Sequence, residues 1–344
     1  MKEPMVADLG SYENQTIIGF FCVAQKSIRS KKDGAPYLAL TLADSSGQIE
    51  CRMWDAGEAG EFAQGDVVKI RGQVSRYKDQ LQITADRLRK AAAGEYAVAD
   101  FVPATERDVD EMWAELEEWV STMEDADFAR LARTFLDDAD IRAALREAPA
   151  AKALHHAWIG GLLEHILSLM GVADAVVRRY PGANRDLLLT GVLLHDIGKL
   201  KELRWGKSFE YTLPGQLLGH ITIGVRMVEE KIAVLGDFPE EKRVLVEHMI
   251  LSHHGRYEFG SPKLPMIPEA ILLHYLDDMD AKMQTMQVEF ARAAANGRDA
   301  ADVTEWVRSM DRPVLNTAAY LKAGAAGEKT EEHGAIPNGL PFED

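Results

Sequence analysis

The apolar residues of this chain repeat with two different periods, one after the other, and a single layer of secondary structure cannot serve both. Between residues 12 and 90 the pattern is that of strands. "TIIGFFCVAQKSIRS" is a β-branched and aromatic run, "KKDGAPY" supplies turn chemistry, and "YLALTLAD" alternates up to the turn "SSGQ". "IECRMWD", "DVVKIRGQVSRY" and "LQITADRLRK" complete five strands. From about Asp108 the spacing turns helical. Met112, Leu116, Trp119, Val120 and Met123 recur at helical intervals, and Phe128, Leu131, Phe135, Ile141 and Leu145 continue them. A connector rich in Ala, Gly and Pro, "KAAAGEYAVADFVPAT", separates the two regimes. A chain of 344 residues lets each regime bury a core of its own, and 47% apolar with 27% charged residues is ordinary for a globular protein.

Five strands, with "GEAGEFAQG" long enough for a short helix between the third and fourth, follow the order of an OB-fold barrel. The stretch "FAQGDVVKIRGQVSRYKDQLQI" resembles the second half of an OB domain of the tRNA-anticodon type. The expected fold is therefore multidomain. An N-terminal OB-fold β-barrel occupies residues 1–95, a helical linker 96–149 and an all-α domain 150–322. Residues 323–344, with His333, lack periodicity and read as a disordered tail. OB barrels hold single-stranded nucleic acid in a groove of cations and stacking aromatics. The candidates here are Lys26, Tyr37, Arg52, Trp54, Arg71, Arg76, Tyr77 and Lys78, with an ordinary polar barrel face as the competing explanation.

The net charge of −16 argues at first against a polyanionic partner. Its distribution weakens that objection without predicting such a partner, because residues 1–90 hold 13 Lys and Arg against 12 Asp and Glu, and the excess acid follows them. Cys22 and Cys51 lie in strand-like segments and read as small buried hydrophobes in a reducing compartment. No apolar run reaches membrane-spanning length, and "MKEPMVADLGSYENQ" lacks the apolar stretch of a secretory signal. A cytoplasmic location without membrane association is expected.

Nine of the ten histidines fall between 155 and 274. His165 in "LLEHIL", His195 and Asp196 in "LLHDIGK", His220 in "LLGHIT", and His253 and His254 in "LSHHG" each lie in or end an apolar helical run. So do Asp277, Asp278 and Asp280 in "YLDDMDAK". Such polar groups are carried inward and must be satisfied there, and several imidazoles meeting a carboxylate are satisfied by a divalent cation. His248 and His274, in "LVEHMIL" and "ILLHYL", read instead as satisfied core histidines.

The order H…HD…H…HH…D resembles the HD-domain metal-dependent phosphohydrolase superfamily. That resemblance implies a first ion held by His165, His195, Asp196 and Asp277. A second would share Asp196 and be completed by His220 and one or both of His253 and His254. Asp277 is preferred to Asp280 because "YLDDMDAK" aligns with the family's "HADNLDAK", in which the earlier Asp is the ligand; Asp280 is left to cap or pair locally. One or two ions per chain are implied. Imidazole with carboxylate suits Mn²⁺, Fe²⁺, Co²⁺ or Zn²⁺ better than Mg²⁺, and Mn²⁺ is favoured. Lys199 is either a surface helix lysine or, as the resemblance implies, a contact to substrate phosphate. His155 and His156 either line the cleft, where His156 would steady phosphate oxygens beside Asp196 and Lys199, or mark a helix start.

The order of barrel, helices and HD domain resembles the bacterial YhaM-type 3′-to-5′ exoribonucleases from about Ile17 to Gln284. The most particular residues are "PAAKALHHAWIGGLLEH", "LLHDIGK", "GHITIG", "SHHGRYEFGSPKLPMIPEAILLHY" and "DDMDAKM". The resemblance implies metal-dependent removal of nucleoside 5′-monophosphates from single-stranded RNA, or DNA, by a homo-oligomer. Leu276 and Asp278 depart from the family pattern and alter the surroundings of Asp277. Three other functions compete with this one. They are a nucleotide or cyclic-nucleotide phosphohydrolase with a regulatory OB domain, a di-iron oxygenase, and an RNA-binding module whose HD fold is only structural.

Overall fold

A computed structural model describes residues 3–331 except 32, 56, 58–60, 79, 93, 98–99, 153–155, 207–208 and 296. His155 thus lies outside the described residues, as do part of the connector in which a short helix is expected and residues 332–344 of the tail. Two compact units are present, Met1–Asp280 and Ala281–Asp344.

The first unit begins with five strands: β1 (Thr16–Ser30), β2 (Pro36–Asp44), β3 (Gly47–Met53), β4 (Val67–Tyr77) and β5 (Gln80–Lys90). They close into a barrel of order β1-β2-β3-β5-β4, in which only the β3–β5 pair is parallel (Cys51 opposite Ile83, Met53 opposite Ala85). Closure leaves no free edge, so the period-two pattern has only an inside and an outside. Leu38, Leu40 and Leu42 of β2, Cys51 and Met53 of β3, and Val68, Ile70 and Val74 of β4 fill the interior, while Arg52 and Arg71 alternate outward. A 3₁₀ turn at Val6–Tyr12 adds Leu9 to that core. Both cysteines are buried, and burial pushes the Cys51 thiol up to about 12, as an inert packing residue requires.

Helices follow: α1 (Val109–Ser121), α2 (Ala126–Leu136), α3 (Ala139–Glu147), α4 (Gly161–Val177), α5 (Arg185–Leu194), α6 (Lys199–Glu202), α7 (Leu213–Leu235), α8 (Glu240–Ser252) and α9 (Pro268–Ala295). Asp108, Asp125 and Asp138 cap α1, α2 and α3, each side chain accepting from two backbone N–H groups. Part of the acid after the barrel is therefore local helix chemistry. The helices read as a linker share one continuous core with those that follow: Met112, Leu116, Leu131 and Phe135 pack in the same cluster as Leu163, Leu193 and Met249. Their apolar stripes need a partner surface, and α4 and α5 supply it. A two-residue hairpin, β6 (Leu203–Arg204) with β7 (Glu210–Tyr211), interrupts the otherwise helical body. A smaller cluster joins barrel to body: Cys22, Val67 and Ala91 pack with Phe101 and Val102, and Ile159 and Phe209 lie against them.

In the second unit, α10 (Thr317–Glu331) continues past residue 323, where the aperiodic tail is read to begin. Among the described residues no helix is long and apolar enough to cross a membrane.

Candidate metal centre

Helix α4 is apolar almost all round, so His165 enters the core with its neighbours Leu162, Ile166 and Leu169. Helix α5 ends at His195, and the turn through Asp196 and Gly198 leads into α6. The turn lies hard against α7: a Cβ on Gly198 would stand 2.0 Å from the His220 carbonyl. Helix α7 is broken at Gly219 (φ 72°, ψ 157°), a conformation that glycine alone adopts readily, so His220 starts a fresh helical segment with its N–H exposed. Glu202 Oε1 accepts from that N–H at 2.9 Å and from His220 Nδ1–H at 3.1 Å. His253 and His254 follow the last turn of α8, and Asp277 and Asp280 lie one turn apart on α9.

Two ligand groups result. His165, His195 and Asp277 present their donor atoms to one point; His165 Nε2 is 3.3 Å from both His195 Nε2 and Asp277 Oδ1. His220, His253 and His254 converge on a second. Asp196 lies between the two. Its Oδ2 is 3.4 Å from His195 Nε2, and its Oδ1 is 3.4 Å from His220 Nε2 and 3.8 Å from His253 Nε2. Donors around one cation bound at about 2.1 Å lie about 3.0–3.4 Å apart when adjacent and about 4.2 Å apart when opposite, a span that includes these separations and so fits an ion in each group.

The fit has an independent test in hydrogen bonding. Asp196 Oδ1, His220 Nε2 and His253 Nε2 are buried and have no hydrogen-bond partner among the described residues. Meanwhile every ligand histidine commits Nδ1–H to an oxygen behind it. His165 donates to Asp280 (2.8 Å), His195 to Val192 O (2.9 Å), His253 to Ile250 O (2.7 Å) and His254 to Phe259 O (2.8 Å). That bond turns each Nε2 inward, where a neutral ring offers its lone pair and His165 can do so once its proton is displaced, the arrangement a cation needs.

Electrostatics agree. Burial and the nearby imidazoles hold His253 well below the usual histidine range, and burial lowers His254 too, so both are neutral donors. Burial alone would raise Asp196, but Lys199 and His195 hold it well below the carboxylate range; burial opposes Asp277 likewise, and His165 keeps it low. Burial also disfavours charge on His165, yet Asp277 and Asp280 outweigh it and raise the group to about 9.

Lys199 is nearly buried, with Nζ 2.5 Å from Asp196 Oδ2, and this pairing raises it despite desolvation. His156 is fully buried and donates from Nε2 to Asp280 Oδ2 at 3.0 Å. It meets His165 through Asp280, and its Nδ1 is buried without a hydrogen-bond partner among the described residues; full burial keeps it from the exposed contact with phosphate that the sequence suggests. Asp280, which also accepts from Ser168 Oγ (2.6 Å), aligns His165. Its position three residues after Asp277 placed it on the same helix face, which was the available signal; Glu202 had none. His248 accepts from the Met266 N–H at 3.0 Å and His274 donates to the His253 carbonyl at 3.0 Å, so both are satisfied, although only half-buried.

On the barrel, Tyr37 and Trp54 rest together, centroids 4.9 Å apart at 39°, and Trp54 borders a cavity of about 360 Å³ lined by Lys31, Pro36 and Asp55. Arg52 and Lys78 both lie over the Tyr77 ring, at 5.3 and 5.7 Å. The remaining candidates have other contacts. Lys26 donates to the Phe62 carbonyl (2.6 Å), Arg71 pairs with Asp86 (3.5 Å) and Arg76 with Glu13 (3.5 Å).

Comparison with known proteins matches residues 162–282 to the HD domain and 25–91 to an OB-fold nucleic acid binding domain. The chain is 39% identical over 254 residues to 3′-5′ exoribonuclease YhaM of Geobacillus sp. (strain WCH70), covering 73% of this chain and 78% of that protein. It is 37% identical over 257 residues to the Bacillus subtilis protein of the same name (74% and 81%). For that of Halalkalibacterium halodurans the identity is 33% over 300 residues (86% and 91%).

Proposed function

The chain belongs to the YhaM family of 3′-5′ exoribonucleases, and on that premise we propose that it shortens single-stranded RNA, or DNA, from the 3′ end at the His–Asp centre and releases nucleoside 5′-monophosphates. The observation that supports the choice of centre is Asp196, whose two oxygens each face a different ligand group. His165, His195, Asp196 and Asp277 would hold one divalent cation and Asp196, His220, His253 and His254 another. Mn²⁺ is the first candidate. Bound there, the pair would lower the pKa of water and stabilise charge on phosphoryl oxygens.

The protein's own groups do the rest. Lys199 keeps a positive charge one helical turn from Asp196 and pairs with a non-bridging oxygen of the terminal phosphate. Glu202, Asp280 and the carbonyls of Val192, Ile250 and Phe259 keep the imidazoles in one tautomer, so no reorganisation is needed when substrate enters. Tyr37, Trp54, Arg52, Tyr77 and Lys78 hold the upstream strand on the barrel by stacking and charge. Domain limits of 1–95, 96–149 and 150–322, a cytoplasmic location and assembly into a homo-oligomer complete the proposal.

RNA labelled at its 5′ end and incubated with Mn²⁺ tests it. A ladder shortening from the 3′ end with mononucleotide product is expected, and Asp196→Ala should leave the substrate intact. Undegraded RNA, or equal cleavage by the variant, refutes it.

A further inference from the structure

The loop between α8 and α9 carries two large aromatic side chains in solvent on a backbone with little freedom to move. Phe259 O accepts from His254, Ser261 N–H donates to Arg256 O at 3.1 Å, Lys263 N–H to Leu251 O at 3.2 Å, and Met266 N–H to His248 at 3.0 Å. Ser261 Oγ adds a bond to the Lys263 carbonyl at 2.7 Å. Yet Tyr257 is 62% exposed and Phe259 56%. Rings held out by so constrained a segment cover no core, and an ordered loop presenting aromatics is a binding surface whose ordering cost is already met.

The position of the loop says what it meets. His165, His195, Asp196 and His253 are buried, whereas Asp277 keeps 19% and His220 13% of its side-chain surface and His254 is half-buried. The centre therefore opens where Asp277, His220 and His254 lie, and His254 is the one of these to which the loop is hydrogen-bonded. Arg256 lies over the Phe259 ring at 5.6 Å, placing a guanidinium beside an aromatic face at that rim. We propose that Tyr257, Phe259 and Arg256 form a platform for the 3′-terminal bases of single-stranded RNA, the rings stacking on bases and the guanidinium meeting the adjoining phosphate. The assignment rests on the exoribonuclease activity proposed above. A stacking platform grips any base, because every base has a π face, and suits an enzyme that advances one nucleotide at a time.

Phe259 separates the two duties by atom: its carbonyl orients His254, its ring meets substrate. Phe259→Ala should therefore raise KM for RNA about 5- to 30-fold, a larger effect than any it has on kcat or metal stoichiometry, with Phe259→Trp restoring KM. Tyr257→Ala should act in the same direction. A decamer ending in 2-aminopurine, its terminal linkage made resistant to hydrolysis, should lose fluorescence on binding to the wild-type protein and keep it with Phe259→Ala. Unchanged KM in both alanine variants, or unquenched 2-aminopurine with the wild type, overturns the platform. So does a fall in mass by light scattering in place of a KM effect, since the rings would then pack against a second copy. Should Phe259→Ala not fold, Phe259→Trp against Tyr257→Ala decides the question. Wild-type protein that binds and quenches the decamer but cleaves no RNA supports the platform while removing the activity proposed above.

Discussion

Each imidazole that faces the centre commits one nitrogen to an oxygen behind it, and this decides both ligation and protonation. His165 is the extreme case, lying between Asp277 and Asp280 with a pKa of about 9. At neutral pH the ion-free protein keeps a proton there, and a cation taking Nε2 must displace it. Metal affinity should thus rise about tenfold per pH unit up to about pH 9 and then level off. Calorimetry in buffers of different ionisation enthalpy should register about one proton released per ion in the first group at pH 7.5; no release contradicts the pairing. Asp280→Ala removes the oxygen behind His165 and should weaken that ion about 10- to 100-fold. Elemental analysis after dialysis measures the loss, and unchanged retention would reduce Asp280 to packing. Asp196→Ala should reduce both ions together, because its two oxygens serve different groups.

Two glycines let the helices carry these ligands to the same place. Gly219 breaks α7 so that His220 offers both its N–H and its Nδ1–H to Glu202, and Gly198 lets the His–Asp turn lie against the same backbone. Gly219→Ala should cost about 1–3 kcal/mol in stability, read by chemical denaturation, and release the second ion before the first. Simultaneous loss of both ions would show that the break serves the whole fold and not His220 alone. Glu202→Gln keeps one acceptor oxygen and should perturb the second ion less than Glu202→Ala does. The sequence placed His220 on an apolar helical run, but periodicity does not register a break inside a continuous pattern. Glu202, eighteen residues from its partner, gave no local signal at all.

The molecule divides its labour between a near-neutral barrel and an acidic helical body, so nucleic acid upstream of its 3′ end should be gripped mainly by the barrel and its backbone repelled by the body away from Lys199 and Arg256. Trp54→Ala should raise KM for a long RNA about 5- to 100-fold and leave a dinucleotide nearly unaffected, because only the longer substrate reaches the Tyr37–Trp54 pair. Equal effects on both substrates would argue against that separation. Added salt should weaken the long RNA more steeply than the short one. Much of this organisation was readable along the chain. Five strands closing a barrel, helices beyond Asp108, and the His–Asp ligands on apolar runs are patterns of spacing, and spacing is local information. Lys26, Arg71 and Arg76 show its limit: a cation on a strand looks the same in sequence whether it faces RNA, a carbonyl or a neighbouring carboxylate. His156 shows it again, since the neighbours that bury it come from helices far along the chain. Residue type and period thus specified the barrel, the helices and which residues were candidate ligands. Which oxygen stands behind each imidazole, and which lone pairs are left facing one another, depended on packing between distant elements, because burial and hydrogen bonding are properties of the assembled core.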